Sequence, residues 1–132
     1  MGFFDVKPAA SAPLPAWPSP TGSAPAPERG RAYVASNCAY CHLPGGTGGG
    51  AMDLRYDTPF ADMGICDVAP VNGDLGVTDA RLLDPGSPDT SLIALRMATL
   101  GAQRMPQLGT SVVDEDGLAA VHDWITATTA CP

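Results

Sequence analysis

Lysine is almost missing from this chain of 132 residues. Lys7 is the only one, and the other formal positive charges are six arginines, set against fourteen Asp and Glu. With a net charge of −7, there is no basic stripe to displace the counterions of a phosphate backbone, which argues against nucleic-acid binding. Also missing is any apolar run long enough to span a bilayer. The N-terminus has neither the basic start nor the sustained apolar stretch of a signal peptide, although "GFFDV" is briefly hydrophobic. The sequence thus reads as a mature fragment or as a domain joined to something larger. Strand-like alternation is scarce and no internal repeat is visible.

Proline, by contrast, is concentrated. Seven of the fourteen prolines fall between Pro8 and Pro27, with Ala and Ser between them. That density disfavours both helix and sheet ladders and favours an extended linker. Residues 1–27 are therefore expected to be a Pro/Ala-rich linker or tail, and residues 28–132 one small domain. A domain of that size builds a modest core and benefits from a cross-link or prosthetic group.

Three helices are expected. Pro27–Asn37 begins with Pro and Glu28, both tolerated in a first turn, and runs directly into Cys38. Pro88–Leu100 is closed by Gly101 in a C-cap position. The third starts at the acidic run Asp114–Asp116 and carries Leu118, Val121, Trp124 and Ile125 on one face. Between the first and second lies a long stretch studded with Pro, Gly and Asp. There the expectation is ordered loops with short helical turns near Thr78–Leu83, as in a chain that wraps a ligand.

The chemistry sits in "NCAYCHLPGG", residues 37–46. The spacing C-x-x-C-H is the haem-attachment signature. Two intervening residues let both thiols reach the two vinyl groups of one porphyrin, and the adjacent His42 binds the iron. A zinc site needs four ligands and normally a second close pair. Only Cys66 and Cys131, far apart, and His122 remain for that role. A redox dithiol usually comes with a βαβ setting, which is not apparent here. The five glycines of "GGTGGG" (45–50) read either as slack loop or as backbone held close to something flat and bulky.

A haem also raises the question of a sixth ligand. Met97 lies inside an expected helix, where methionine ordinarily packs in the core. Met52 and Met63 are close to the attachment site, which makes the opposite haem face awkward to reach. His122 lies within the last helix. Met105, in "QRMPQLG", sits on a loop stiffened by Pro106 and is the favoured thioether ligand.

With these residues in view, the chain resembles the class I c-type cytochromes across the domain from Glu28 to Cys131. "GRAYVASNCAYCH" resembles the family's first helix and attachment motif, "RMPQLG" its axial-methionine loop, and "VHDWI" its last helix. One departure is Val34, where a phenylalanine is common. The resemblance implies a mostly α, small class I cytochrome c fold, with helices packed around one covalently bound haem c and long ordered loops. It also implies a close crossing of the first and last helices, with Gly30 and Val34 meeting Val121 and Trp124. A narrower resemblance rests on "MGICD", "GDLGVTDARLLDPGSPDTS" and "RMPQLGTSVVDEDG". It is to cytochrome domains appended to large secreted bacterial proteins such as sugar-dehydrogenase-like propellers, and it implies a Cys66–Cys131 disulfide. Haem attachment outside the cytoplasm points the same way, since spare paired thiols there are usually oxidised.

The function expected is single-electron transfer, with Cys38 and Cys41 as thioether anchors and His42 and Met105 as axial ligands. Arg55, Arg96 and Arg104 are candidate contacts to the haem propionates. His42 is expected to donate its outer ring N–H to a backbone carbonyl within Leu43–Gly46. The implied partner is a redox protein or a fused catalytic domain, the implied location periplasmic or secreted, and no substrate is expected at the iron. On this reading the chain is an electron-transfer domain and not itself an enzyme. A haem-based sensor of gas or peroxide, with a labile sixth ligand, is the alternative.

Overall fold

The computed structural model describes residues 16–132, so the first fifteen residues of the Pro/Ala-rich segment, "FFDV" included, lie outside the described residues. Three α-helices are present: α1 (Ala26–Cys38), α2 (Leu92–Met97) and α3 (Glu115–Ala127). Single 3-10 turns occur at Phe60–Asp62 and Pro88–Thr90. No strand forms among the described residues, and the rest is ordered loop, as expected of a small cytochrome c fold.

α1 starts with a proline in its first turn and Glu28 at its positively polarised end. α3 is capped by Asp114, whose Oδ1 accepts the Gly117 N–H at 3.0 Å. The two helices cross closely because each offers a glycine to the other. A Cβ on Gly30 would lie 2.6 Å from Trp124 Cβ and 2.9 Å from the Ala120 carbonyl oxygen. A Cβ on Gly117 would run into the Tyr33 ring, 2.6 Å from its hydroxyl oxygen. Val34, Val121, Trp124 and Ile125 are buried in the core with Leu54, Met63, Ile65, Leu83, Ala94 and Met97. Phe60 meets Trp124 edge-on at 5.7 Å. Met63 and Met97 are therefore packing residues, and Leu118 is partly buried at the core's edge.

Two sequence expectations are corrected. The helix expected over Pro88–Leu100 is broken at Ser91, which has extended backbone, and α2 ends at Met97. The Ser91 hydroxyl is fully buried, donates to the Ser87 carbonyl at 2.8 Å and accepts the Asp84 N–H at 2.8 Å. It thereby offers the backbone an alternative to the helical ladder. Gly101 is not a helix cap, and its N–H instead turns back to Thr99 Oγ1. The helical turns expected near Thr78–Leu83 are absent as well. Thr78 and Asp79 instead make a tight turn in which the Ala80 N–H meets the Val77 carbonyl and Asp79 takes a positive φ, after which parallel bridges pair Arg81 with Ser91 and Leu83 with Cys66.

Residues 16–25 are irregular but held against the domain. Arg29 donates to the carbonyls of Pro20 and Ala24 and pairs with Asp123 at 2.8 Å. Trp17 lies 5.1 Å from Tyr56, ring centre to ring centre.

Candidate haem-attachment site

Cys38 is the last residue of α1, and the chain continues to turn in the same sense beyond it. The N–H groups of Cys41 and His42 both donate to the Cys38 carbonyl, at 3.1 and 2.9 Å, and Ala39 keeps helical backbone angles. Residues three and four apart on such a path share a face, so two thiols and an imidazole emerge together. Both cysteines are free thiols. Burial, with the neighbouring Cys41 second, pushes the Cys38 thiol up to about 12, so it is protonated. Thr47 donates its hydroxyl to Cys41 Sγ at 3.5 Å.

Burial lowers the His42 pKa below its ordinary value, which keeps the ring neutral near pH 7. Neutral imidazole is the form that binds a metal. His42 Nδ1 is buried and has no hydrogen-bond partner. The expected bond to a carbonyl in Leu43–Gly46 is not made. The Leu43 carbonyl accepts from Gly46 N–H, the Cys41 carbonyl from Gly48 N–H, and the His42 carbonyl from Leu54 N–H, at 2.8, 2.8 and 2.9 Å. The ring instead lies against the glycine loop. A Cβ on Gly48 would lie 2.7 Å from His42 Cε1, and closer still to Nδ1. That glycine is the residue sequence reasoning missed. The sequence leaves its loop open between slack and a close approach to something flat, and the structure lays it against the imidazole.

Met105 lies half-buried at a cleft of about 330 Å³. The cleft is also lined by Met97, Tyr33, Asn37 and Tyr40. Asn37 and Tyr40 interleave with the attachment motif, which brings the Met105 loop next to it. Cys38, Cys41 and His42 do not line this cleft. Tyr33 closes one side, and its hydroxyl is pushed above its ordinary pKa by burial and then by the Asp114 carboxylate.

The three arginines differ in what they face. Arg55 pairs with Asp53 at 2.6 Å. Arg96 donates to the carbonyls of Gln103, Asn72 and Gly73. Arg104 bonds the Gln107 and Gly101 carbonyls but keeps a buried Nε without a partner. His122 is half-buried on α3. Cys66 and Cys131 bring their sulfurs to bonding distance, with Cα atoms 5.7 Å apart.

Two neighbouring thiols, a neutral, half-buried imidazole and a glycine loop laid against that ring fit a covalently held haem. Among the described residues no cluster of three or more His, Cys, Asp or Glu is arranged to hold a bare metal ion. A protein-family model described as cytochrome C oxidase, cbb3-type, subunit III matches residues 25–125. Comparisons with curated proteins and with solved structures gave no match.

Proposed function

The chain belongs to the family of cytochrome C oxidase, cbb3-type, subunit III, and on that premise we propose that it relays single electrons through one haem c held by Cys38, Cys41, His42 and Met105. Membership makes it a class I c-type cytochrome with a covalently bound haem, and its role haem-based electron transfer. The bound haem supplies an iron that gains and loses one electron without a substrate at the metal.

The observation that carries this reading is the shared face of Cys38, Cys41 and His42 at the end of α1. The two thiols anchor the haem as thioethers and His42 presents a neutral ring nitrogen to the iron. Met105, on its loop at the cleft next to the motif, would give the iron its second protein ligand. A His/Met pair raises the reduction potential of a haem. Arg104, with its unpartnered buried nitrogen, is the best placed of the three arginines to meet a propionate.

Cys66 and Cys131 form a disulfide on this reading, which fits an extracytoplasmic location. Closing a loop with a sequence separation of 65 contributes on the order of 4 kcal/mol by chain entropy. The partner is a redox protein or a fused catalytic domain. A tether through the Pro/Ala segment would raise the local concentration of that partner. No described helix is long and apolar enough to cross a membrane.

Met105→Ala tests the ligand set. The far-red thioether-to-ferric-iron band should vanish and the iron become open to carbon monoxide. An unchanged ferric spectrum would remove Met105 from the site.

A further inference from the structure

Arg96 stands at a junction that a propionate role does not explain. It occupies the last turn of α2. Its guanidinium makes three hydrogen bonds, all to main-chain carbonyls of two other segments. Nη1 donates to Gln103 at 3.1 Å, and Nη2 to Asn72 at 2.9 Å and Gly73 at 3.0 Å. Its own carbonyl accepts the Met105 N–H at 2.9 Å. No carboxylate pairs with it among the described residues. One residue thus fixes Met105 directly through its main chain, and the chain two residues earlier through its side chain.

The third segment reaches the other side of the site. The Asn72 amide sits where a Cβ on Gly49 would have to go, so the 72–73 loop lies on the same glycine run whose Gly48 backs His42. Contacts therefore run from the His42 ring through the glycine loop and Asn72 to Arg96, and from Arg96 to Met105. A planar guanidinium with donors in a rigid fork suits a junction of several carbonyls, whereas an ammonium is a single mobile point.

We propose that Arg96 is the positioning residue of the axial-methionine loop, clamping residues 103–105 to α2 and to the 72–73 loop so that the Met105 thioether stays in register with the iron. This rests on Met105 being the sixth ligand. A thioether is a weak ligand, so a loop free to open lowers the ligated fraction without unfolding the domain.

The test compares Arg96→Gln, Arg96→Lys and Met105→Ala in the haem-loaded protein. The readouts are the ferric far-red band, the midpoint potential, and amide exchange at Met105 in the ferrous state. The acceptor of the Met105 N–H is the main chain of residue 96, so it survives both Arg96 substitutions, and faster exchange reports opening of the loop. Both Arg96 variants should exchange this amide on the order of tenfold faster, lose part of the far-red band and shift the potential downward. If Met105→Ala abolishes the band while Arg96→Gln leaves band, potential and exchange unchanged, the clamp is overturned and the ligand assignment stands. If Arg96→Lys matches the unsubstituted protein while Arg96→Gln does not, the effect is one of charge and the clamp is again overturned. A band that survives Met105→Ala removes the ligand assignment and the inference with it. Should Arg96→Gln not accumulate folded, Arg96→Lys carries the test, since it keeps the charge and most of the stem.

Discussion

His42 shows how much one residue draws from its surroundings. Burial keeps its ring neutral, and a glycine loop backs it at a distance no side chain would permit. Gly48→Ala places a methyl group against Cε1 and against the Cys41 carbonyl, 2.9 Å away. Forcing extra volume into such a contact typically costs about 1–3 kcal/mol. Thermal melting of the holoprotein should show a destabilisation of that order, and an unchanged melting curve would mean the loop moves aside freely. The proposed attachment triad can be picked out of the sequence because its chemistry depends on spacing alone. Gly48 was not, because five glycines in six positions look alike until the backbone shows which one meets the ring. Nor did the sequence distinguish the three arginines, whose different partners are set by loops distant in the chain.

At the scale of elements, the α1–α3 crossing orients the end of α1 and hence the attachment motif. It depends on two reciprocal contacts, Gly30 under Trp124 and Gly117 under Tyr33. Gly117→Ala would collide with the Tyr33 ring, whose hydroxyl meets the Asp114 carboxylate that caps the same helix. Because an aromatic ring wedged between two helices has little room to shift, the loss should sit at or above the top of the roughly 1–3 kcal/mol range. A denaturant titration measures it as a fall in midpoint at constant slope. Gly30 and the apolar stripe of α3 could be read from periodicity and resemblance. Gly117 read only as part of a helix start, because its partner is 84 positions earlier in the chain. The break at Ser91 escaped sequence reading for a related reason. A serine inside an apolar helical pattern gives no sign that its hydroxyl will find both the Ser87 carbonyl and the Asp84 N–H.

At the scale of the molecule, a small core is assisted by tertiary ties that respond differently to conditions. Asp53 is held by Arg55, whose hydrogen bonds pull its carboxyl from an ordinary 3.8 down to about 2. A carboxyl depressed in the folded state stabilises it above the unfolded value, and that contribution disappears as pH falls through the folded value. Asp53→Asn should therefore be less stable than the unsubstituted chain at neutral pH, by a small margin because Arg55 is exposed. The two stability curves should converge between pH 3.8 and about 2. Urea midpoints across that range would show the convergence. A difference that widens in acid would contradict the assignment.

The central proposal is that this chain carries one electron at a time on a single haem fixed by its own cysteines. The most direct measurement is a redox titration of the purified protein followed by visible absorption. The expected result is one reversible wave with the slope of a one-electron couple, about 59 mV per tenfold change in ratio, and sharp bands that stay with the polypeptide after denaturation. No haem absorbance, or a high-spin spectrum that shifts when carbon monoxide binds the unsubstituted protein, would contradict it.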